Sequence, residues 1–241
     1  MYKILYIILL ILILNANGVG AKNVLLSPEI KELIQIGNVQ FKYLPELNDS
    51  RRGYAKFKFK WKRNFSYKYS FKYLPDKNIF NVNISAKVKE TPTLVHTIEM
   101  PSKHIGKKWH DRLFRHEFDH VAISTDQRPI LILSFLVAHL KINDIKVATK
   151  SQLTKAFLGK IINARIDLIE NEVESLIRNN YRLLDSKSIS DHGKKKILNR
   201  KGFFKNLYSH SNLVNQGFPF AEKVKDFLET KEYKNAKVVY F

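Results

Sequence analysis

The sequence predicts an α+β fold in which an antiparallel β-meander precedes a helical half. Three observations carry this. Residues 39–100 are aromatic-rich and alternate with a period of two, as half-buried antiparallel strands do. From 102 to 182 the apolar residues recur three and four apart, as one face of a helix requires. With 44% hydrophobic residues in a chain of 241, there is enough apolar matter for one sizeable core.

Residues 1–21 read as a signal peptide. Lys3 precedes an apolar run from Ile4 to Leu14, and Val19-Gly20-Ala21 fits a small-x-small cleavage site. The run is short for a bilayer span, so cleavage leaves no stable membrane span, with an uncleaved anchor as the alternative. The remainder, 22–241, is expected to be a single exported domain, periplasmic or secreted. It divides into a β-rich part at 39–100, a helical part at 102–182, and a basic loop with a C-terminal appendage at 183–241.

Ser27-Pro28-Glu29 opens a short helix to about residue 36. Three alternating runs follow. Phe57, Phe59 and Trp61 oppose Lys56, Lys58, Lys60 and Lys62; Arg63-Asn64 then supplies a turn. Phe65, Tyr67, Tyr69, Phe71 and Tyr73 oppose Ser66, Lys68, Ser70 and Lys72. After the turn chemistry of Leu74-Pro75-Asp76-Lys77-Asn78, Phe80, Val82, Ile84, Ala86 and Val88 oppose Asn81, Asn83, Ser85, Lys87 and Lys89. Consecutive strands of this kind make a meander with one greasy and one basic face. A fourth strand is expected at Thr93 to Ile98, before Pro101.

The helix expected over about 104–125 carries His116-Glu117-Phe118-Asp119-His120, which spells HExxH. Residues four apart on a helix stand one above the other, so two imidazoles can share one Zn²⁺. Glu117 beside the ion can take a proton from water and pass it to a leaving amine. On a helical wheel Leu113, His120 and Ser124 lie on the side of His116, and Phe114, Phe118 and Val121 on the far side. The helix is thus expected to be buried on two sides, with Arg115 and Asp119 suited to an i,i+4 pair. A meander ahead of such a helix resembles the arrangement of zincin-type metallopeptidases, in which an edge strand binds an extended peptide.

Asp126-Gln127-Arg128-Pro129 restarts a helix, with Asp126 as N-cap. Ile130 to Leu140 is apolar almost all round and is expected to end at Asn143-Asp144, His139 being an end-of-helix residue. A long helix from about Ser151 to Asn180 bears the stripe Ile162, Ile166, Ile169, Val173 and Leu176. Beyond a polar stretch from Asp185 to Gly202, one amphipathic helix is expected at about Ala221 to Thr230 and an edge strand at Val238 to Phe241.

A catalytic zinc needs three protein ligands and one open position. Without cysteine, the third must be histidine or carboxylate. His192 is the first choice, because a histidine followed by Gly193 in a loop can swing back toward the zinc helix. Glu172, in Asn171-Glu172-Val173-Glu174-Ser175, and Asp126 are the alternatives. The order HExxH, helix, Tyr, hydroxyl residue, His-Gly resembles a family of predicted secreted bacterial zinc proteases known as a domain of unknown function. His116, Glu117 and His120 match its first motif. Ser190 and His192-Gly193 match the end of the second, with Ser for Thr, while Tyr181 and Asp185 stand several residues out of register. The similarity spans about 54–193 and implies a β-rich front, a helical back and peptidase activity.

The expected function is therefore that of an exported zinc metallopeptidase acting on a peptide or protein. Its metal ligands are His116, His120 and His192, its acid–base residue is Glu117, and Tyr181 and His210 are oxyanion candidates by residue type. The formal charge of +20 also predicts attraction to an anionic envelope polymer. Hence the alternatives are a zinc amide hydrolase acting on cell-wall peptide and a non-catalytic polyanion-binding protein. Specific nucleic-acid binding is not expected, because the aromatics lie on the opposite strand face from the lysines.

Overall fold

The computed structural model describes residues 28–47, 53–104, 112–188 and 199–239. The expected signal segment at 1–21 and His192 lie outside the described residues. The chain is α+β, with mainly antiparallel sheets followed by helices. After helix α1 (Pro28–Gly37) come strands β1 (Val39–Leu44), β2 (Tyr54–Lys60), β3 (Phe65–Leu74), β4 (Ile79–Val88) and β5 (Thr93–Pro101). Helices α2 (Arg112–Thr125) and α3 (Gln127–Ala138), strand β6 (Leu140–Val147) and helix α4 (Lys155–Ser188) complete the central part.

The strands form two three-stranded sheets, ordered β1-β5-β2 and β3-β4-β6. In the first, β1 runs parallel and β2 antiparallel to β5. The expected meander is therefore broken at its first junction. β2 pairs with β5, Phe57 opposite His96, and only β3 and β4 form the expected hairpin. The residues that read as a turn explain the break. Trp61 Nε1 donates to Glu170 at 2.7 Å, and Arg63 pairs with Glu170 at 2.8 Å and with Asp167. These contacts draw the connection onto α4 and deliver β3 to another sheet.

Strand β6 is a second departure. Asn143-Asp144 does not stop a helix but forms a bulge, where β4 advances from Val82 to Ile84 while β6 retreats from Ile145 to Ile142. The extra residue bends the strand. Asp144 takes up φ 62°, its N–H donating to Asn83 Oδ1 at 3.2 Å and its carboxylate accepting from Asn81 at 2.9 Å.

Among the helices, Asp126 caps α3 as expected, accepting from Arg128 N at 2.9 Å. His139 lies at the end of α3, its Nδ1 2.9 Å from the Phe135 carbonyl. The stripe Ile162, Ile166, Ile169, Val173 and Leu176 is buried along α4, which runs about two turns past the expected end at Asn180. The segment 199–239 is no appendage. Its helices α5 (Arg200–Asn206), α6 (His210–Asn215), α7 (Ala221–Leu228) and α8 (Lys231–Lys234) place Phe204, Tyr208, Leu213 and Val224 in the core. Tyr208 Oη donates to the carbonyl of Ile123 at 2.8 Å, tying this part to the end of α2. The expected closing strand is absent over 236–239, and residues 240–241 lie outside the described ones. Leu113–Ala138 is apolar enough to cross a membrane by length and composition, but most of it is buried, as in a core helix pair.

Candidate metal centre

Helix α2 lies between the first sheet and α4. Phe114 and Phe118 pack on Phe41 of β1, with centroids 6.2 and 6.0 Å apart. That contact turns the next positions on the helix toward α4, where His116 and His120 emerge one turn apart. Their Nε2 atoms stand 3.2 Å from each other, and each is 3.1 Å from Oδ1 of Asp185 on α4. Two imidazole nitrogens and one carboxylate oxygen thus form a nearly equilateral triangle. A tetrahedral ion bound at about 2.0–2.1 Å requires donors about 3.3 Å apart, so the triangle has the size of one face of such a site. The donor set, with no sulfur, suits zinc or a similar divalent ion.

The charges reinforce one another. Burial opposes the imidazolium of His116, but its hydrogen bond to the Asp185 carboxylate and the nearby Glu117 carboxylate outweigh it, and its pKa is raised. Burial likewise raises the carboxyl of Asp185, yet its hydrogen bonds to His116 and His120 dominate and hold it well below the usual carboxylate range. Glu117 is 2% exposed. Desolvation raises its pKa against the pull of His120, His116 and a backbone hydrogen bond from Ala55. Its Oε2 is buried without a hydrogen-bond partner. A basic oxygen in that condition, beside the two imidazoles of the triangle, fits a proton acceptor.

Strand β2 is built around this acid. A Cβ on Gly53 would come within 2.9 Å of Glu117 Oε1 and of Met100 Sδ, so glycine permits the close approach of the backbone. β2 is also one of the two edge strands of its sheet among the described residues.

A buried hydrogen-bonded chain supports the triangle from behind. Tyr181 and Asp185 are one turn apart on α4; His120 and Ser124 are one turn apart on α2. Tyr181 lies against the His120 ring, centroids 4.4 Å apart, and its hydroxyl donates to Ser124 Oγ at 2.8 Å. Ser124 Oγ is 2.6 Å from His96 Nε2, and His96 Nδ1 is 2.7 Å from the carbonyl of Gly37. Complete burial lowers the His96 pKa to about 4, partly offset by its bond to Gly37. The ring is therefore neutral at pH 7. A carbonyl only accepts, so Nδ1 carries the hydrogen and Nε2 accepts from Ser124.

The residues expected from sequence sort as follows. His116, Glu117 and His120 meet at one point. Tyr181 is beside them, but its hydroxyl is engaged by Ser124 and burial pushes its pKa up, so its role here is to hold His120. Asp126 is bound to Arg128 at 2.5 Å. Glu172 faces a small hollow with Ser175, Asn179 and Gln216, and His210 pairs with Glu222 at 3.2 Å; none of the three joins the triangle. Asp119 pairs with Arg200 of α5, with one contact at 2.9 Å, rather than with Arg115. Sequence alone gives Asp185 no more than an unmatched motif position at the head of a polar stretch. The signal for it was available: it stands four residues after Tyr181 and next to Leu184, which continues the buried stripe. Comparison with known proteins finds no matching family model, no matching curated protein and no matching solved structure.

Proposed function

We propose that this chain is an exported, zincin-like zinc metallopeptidase whose ion is held by His116, His120 and Asp185. The observation that carries the reading is the donor triangle with a buried, basic carboxylate beside it. When bound, such an ion supplies Lewis-acid polarisation and lowers the pKa of water. Glu117 accepts the proton of the attacking water and delivers it to the departing amine nitrogen. The amide C–N bond breaks as the new C–O bond forms, so no external reductant or oxidant is needed. Tyr181, packed on the His120 ring, keeps that imidazole oriented. The outer edge of β2, next to Glu117, pairs with no strand among the described residues and suits an extended peptide substrate.

The high positive charge favours substrates embedded in anionic envelope material, including cell-wall peptide. The test is metal analysis of the purified protein together with hydrolysis of casein and of peptidoglycan. Wild type is expected to carry one zinc per chain. Asp185→Ala and His116→Ala should lose it, whereas Glu117→Gln should keep it and lose hydrolysis. Full zinc in Asp185→Ala with loss in His192→Ala would restore the histidine expected from sequence as third ligand. Unchanged zinc content in His116→Ala would refute the site.

A further inference from the structure

Strand β3 leaves six consecutive residues, 68–73, exposed, unlike any other described strand. Seven large hydrophobic residues are exposed among the described ones, and three of them lie here: Tyr69 at 43%, Phe71 at 39% and Tyr73 at 44%. The strand is hydrogen-bonded to β4 on one side and is the edge of its sheet on the other, so among the described residues its outer row of N–H and C=O groups meets no strand. Lys68 and Lys72 project to the face opposite the rings. Register sets Lys68 in line with Ser85 and Lys141, and Lys72 in line with Asn81 and Lys146. The polar face therefore carries a lysine at each end of both rows.

We infer that the outer edge of β3 is a docking site for an extended segment of a partner protein in which acidic and apolar side chains alternate. Such a segment adds a strand to the sheet. Its acids stand opposite Lys68 and Lys72 on one face, its apolar groups lie on the other against Tyr69, Tyr73 and the part of Phe71 left open by the Lys150 ammonium 4.8 Å over its ring, and its backbone satisfies the open edge. One occupant thus meets all three features. A second copy does not: β3 contains no acid, and antiparallel pairing about Ser70 would set each Lys68 against the other chain's Lys72. Edge lysines guard against self-pairing, and the same charges admit an acidic strand. An anionic bilayer would answer the lysines but leave the edge unpaired.

The inference is independent of the proposed peptidase activity, and Glu117→Gln should bind as the wild type does. The experiment is fluorescence anisotropy of the purified full chain with a labelled octapeptide of alternating Glu and Val. Saturable binding is expected. Two N-methylated versions, one methylated on every Glu nitrogen and one on every Val nitrogen, keep the charge, and at least one of them should bind about tenfold more weakly or worse. The double variant Lys68→Glu, Lys72→Glu, at exposed positions that should leave Tm unchanged, is expected to prefer an alternating Lys and Val peptide. No binding of the parent peptide overturns the inference. Equal binding of all three Glu peptides reduces the site to plain electrostatics and also overturns it. So does pelleting with phosphatidylglycerol vesicles that depends on Tyr69, Phe71 and Tyr73 while the peptide is ignored.

Discussion

Strands β2 and β3 are written in nearly the same code, aromatic alternating with lysine, and they end in opposite circumstances. Phe57 and Phe59 of β2 are buried, whereas Tyr69, Phe71 and Tyr73 of β3 are exposed. The difference lies in what covers them. Phe57 is roofed by Tyr181 of α4, edge-on with centroids 5.8 Å apart, and flanked by His96 and by the guanidinium of Arg178. The outer half of β3 has β4 beside it, and its rings stay exposed although the Lys150 ammonium stands over Phe71, 4.8 Å from the ring centroid. Alternation specifies a strand and its two faces. Whether the apolar face becomes core depends on another element arriving there, and that is a tertiary matter.

The sharpest way to break this contrast is to truncate one ring on each strand. Phe57→Ala should cost about 3–5 kcal/mol, as deletion of a buried aromatic does, and should weaken metal binding by loosening Tyr181. Phe71→Ala should cost under about 0.5 kcal/mol. Urea titration of both variants checks this, and equal losses would dissolve the distinction.

A pH test probes the same buried side. The pKa of His96 is depressed in the folded state, from 6.5 to about 4. The unfolded chain therefore binds the extra proton first as pH falls. Stability from this group is complete above about pH 6.5 and drains away toward pH 4, by an amount on the order of 3 kcal/mol. Denaturant midpoints measured across that window should decline in the wild type and decline less in His96→Gln.

The contrast extends to the site. Gly53→Ala should displace Glu117 and lower kcat about ten- to a hundredfold with zinc content unchanged, while Ser70→Ala on β3 should leave turnover alone. A modest effect is expected for Tyr181→Phe, which keeps the ring on His120 and removes only the bond to Ser124. Zinc affinity should fall by about tenfold, read by competition with a chromogenic chelator, and an unaltered affinity would show that the ring contact alone suffices.

Much of this was legible in sequence because it is local. The HExxH spacing, the Asp126 cap, the β3–β4 turn and the stripe of α4 all follow from short-range periodicity and backbone preference. What sequence concealed was long-range or disguised. Nothing in residues 54–60 reveals that their partner is β5, since the decisive contact, Trp61 and Arg63 with Glu170, spans more than a hundred positions. Asn143-Asp144 looked like a stop and is a bulge. Asp185 is hidden because it heads a polar stretch that reads as loop, although no glycine or proline occurs between Asn180 and Ser188. The expected third ligand, His192, lies outside the described residues.

Because both arms of the centre are helical, its integrity is a question of angular phase. Losing one residue anywhere between Leu176 and Asp185 would swing the carboxylate by about 100° around its axis, away from the imidazoles. Removing a whole turn would restore the heading but shift the oxygen by roughly 5 Å, beyond coordinating reach. Deletions in that interval should therefore abolish metal retention whatever their length, while a substitution at the exposed Arg182 passes unnoticed.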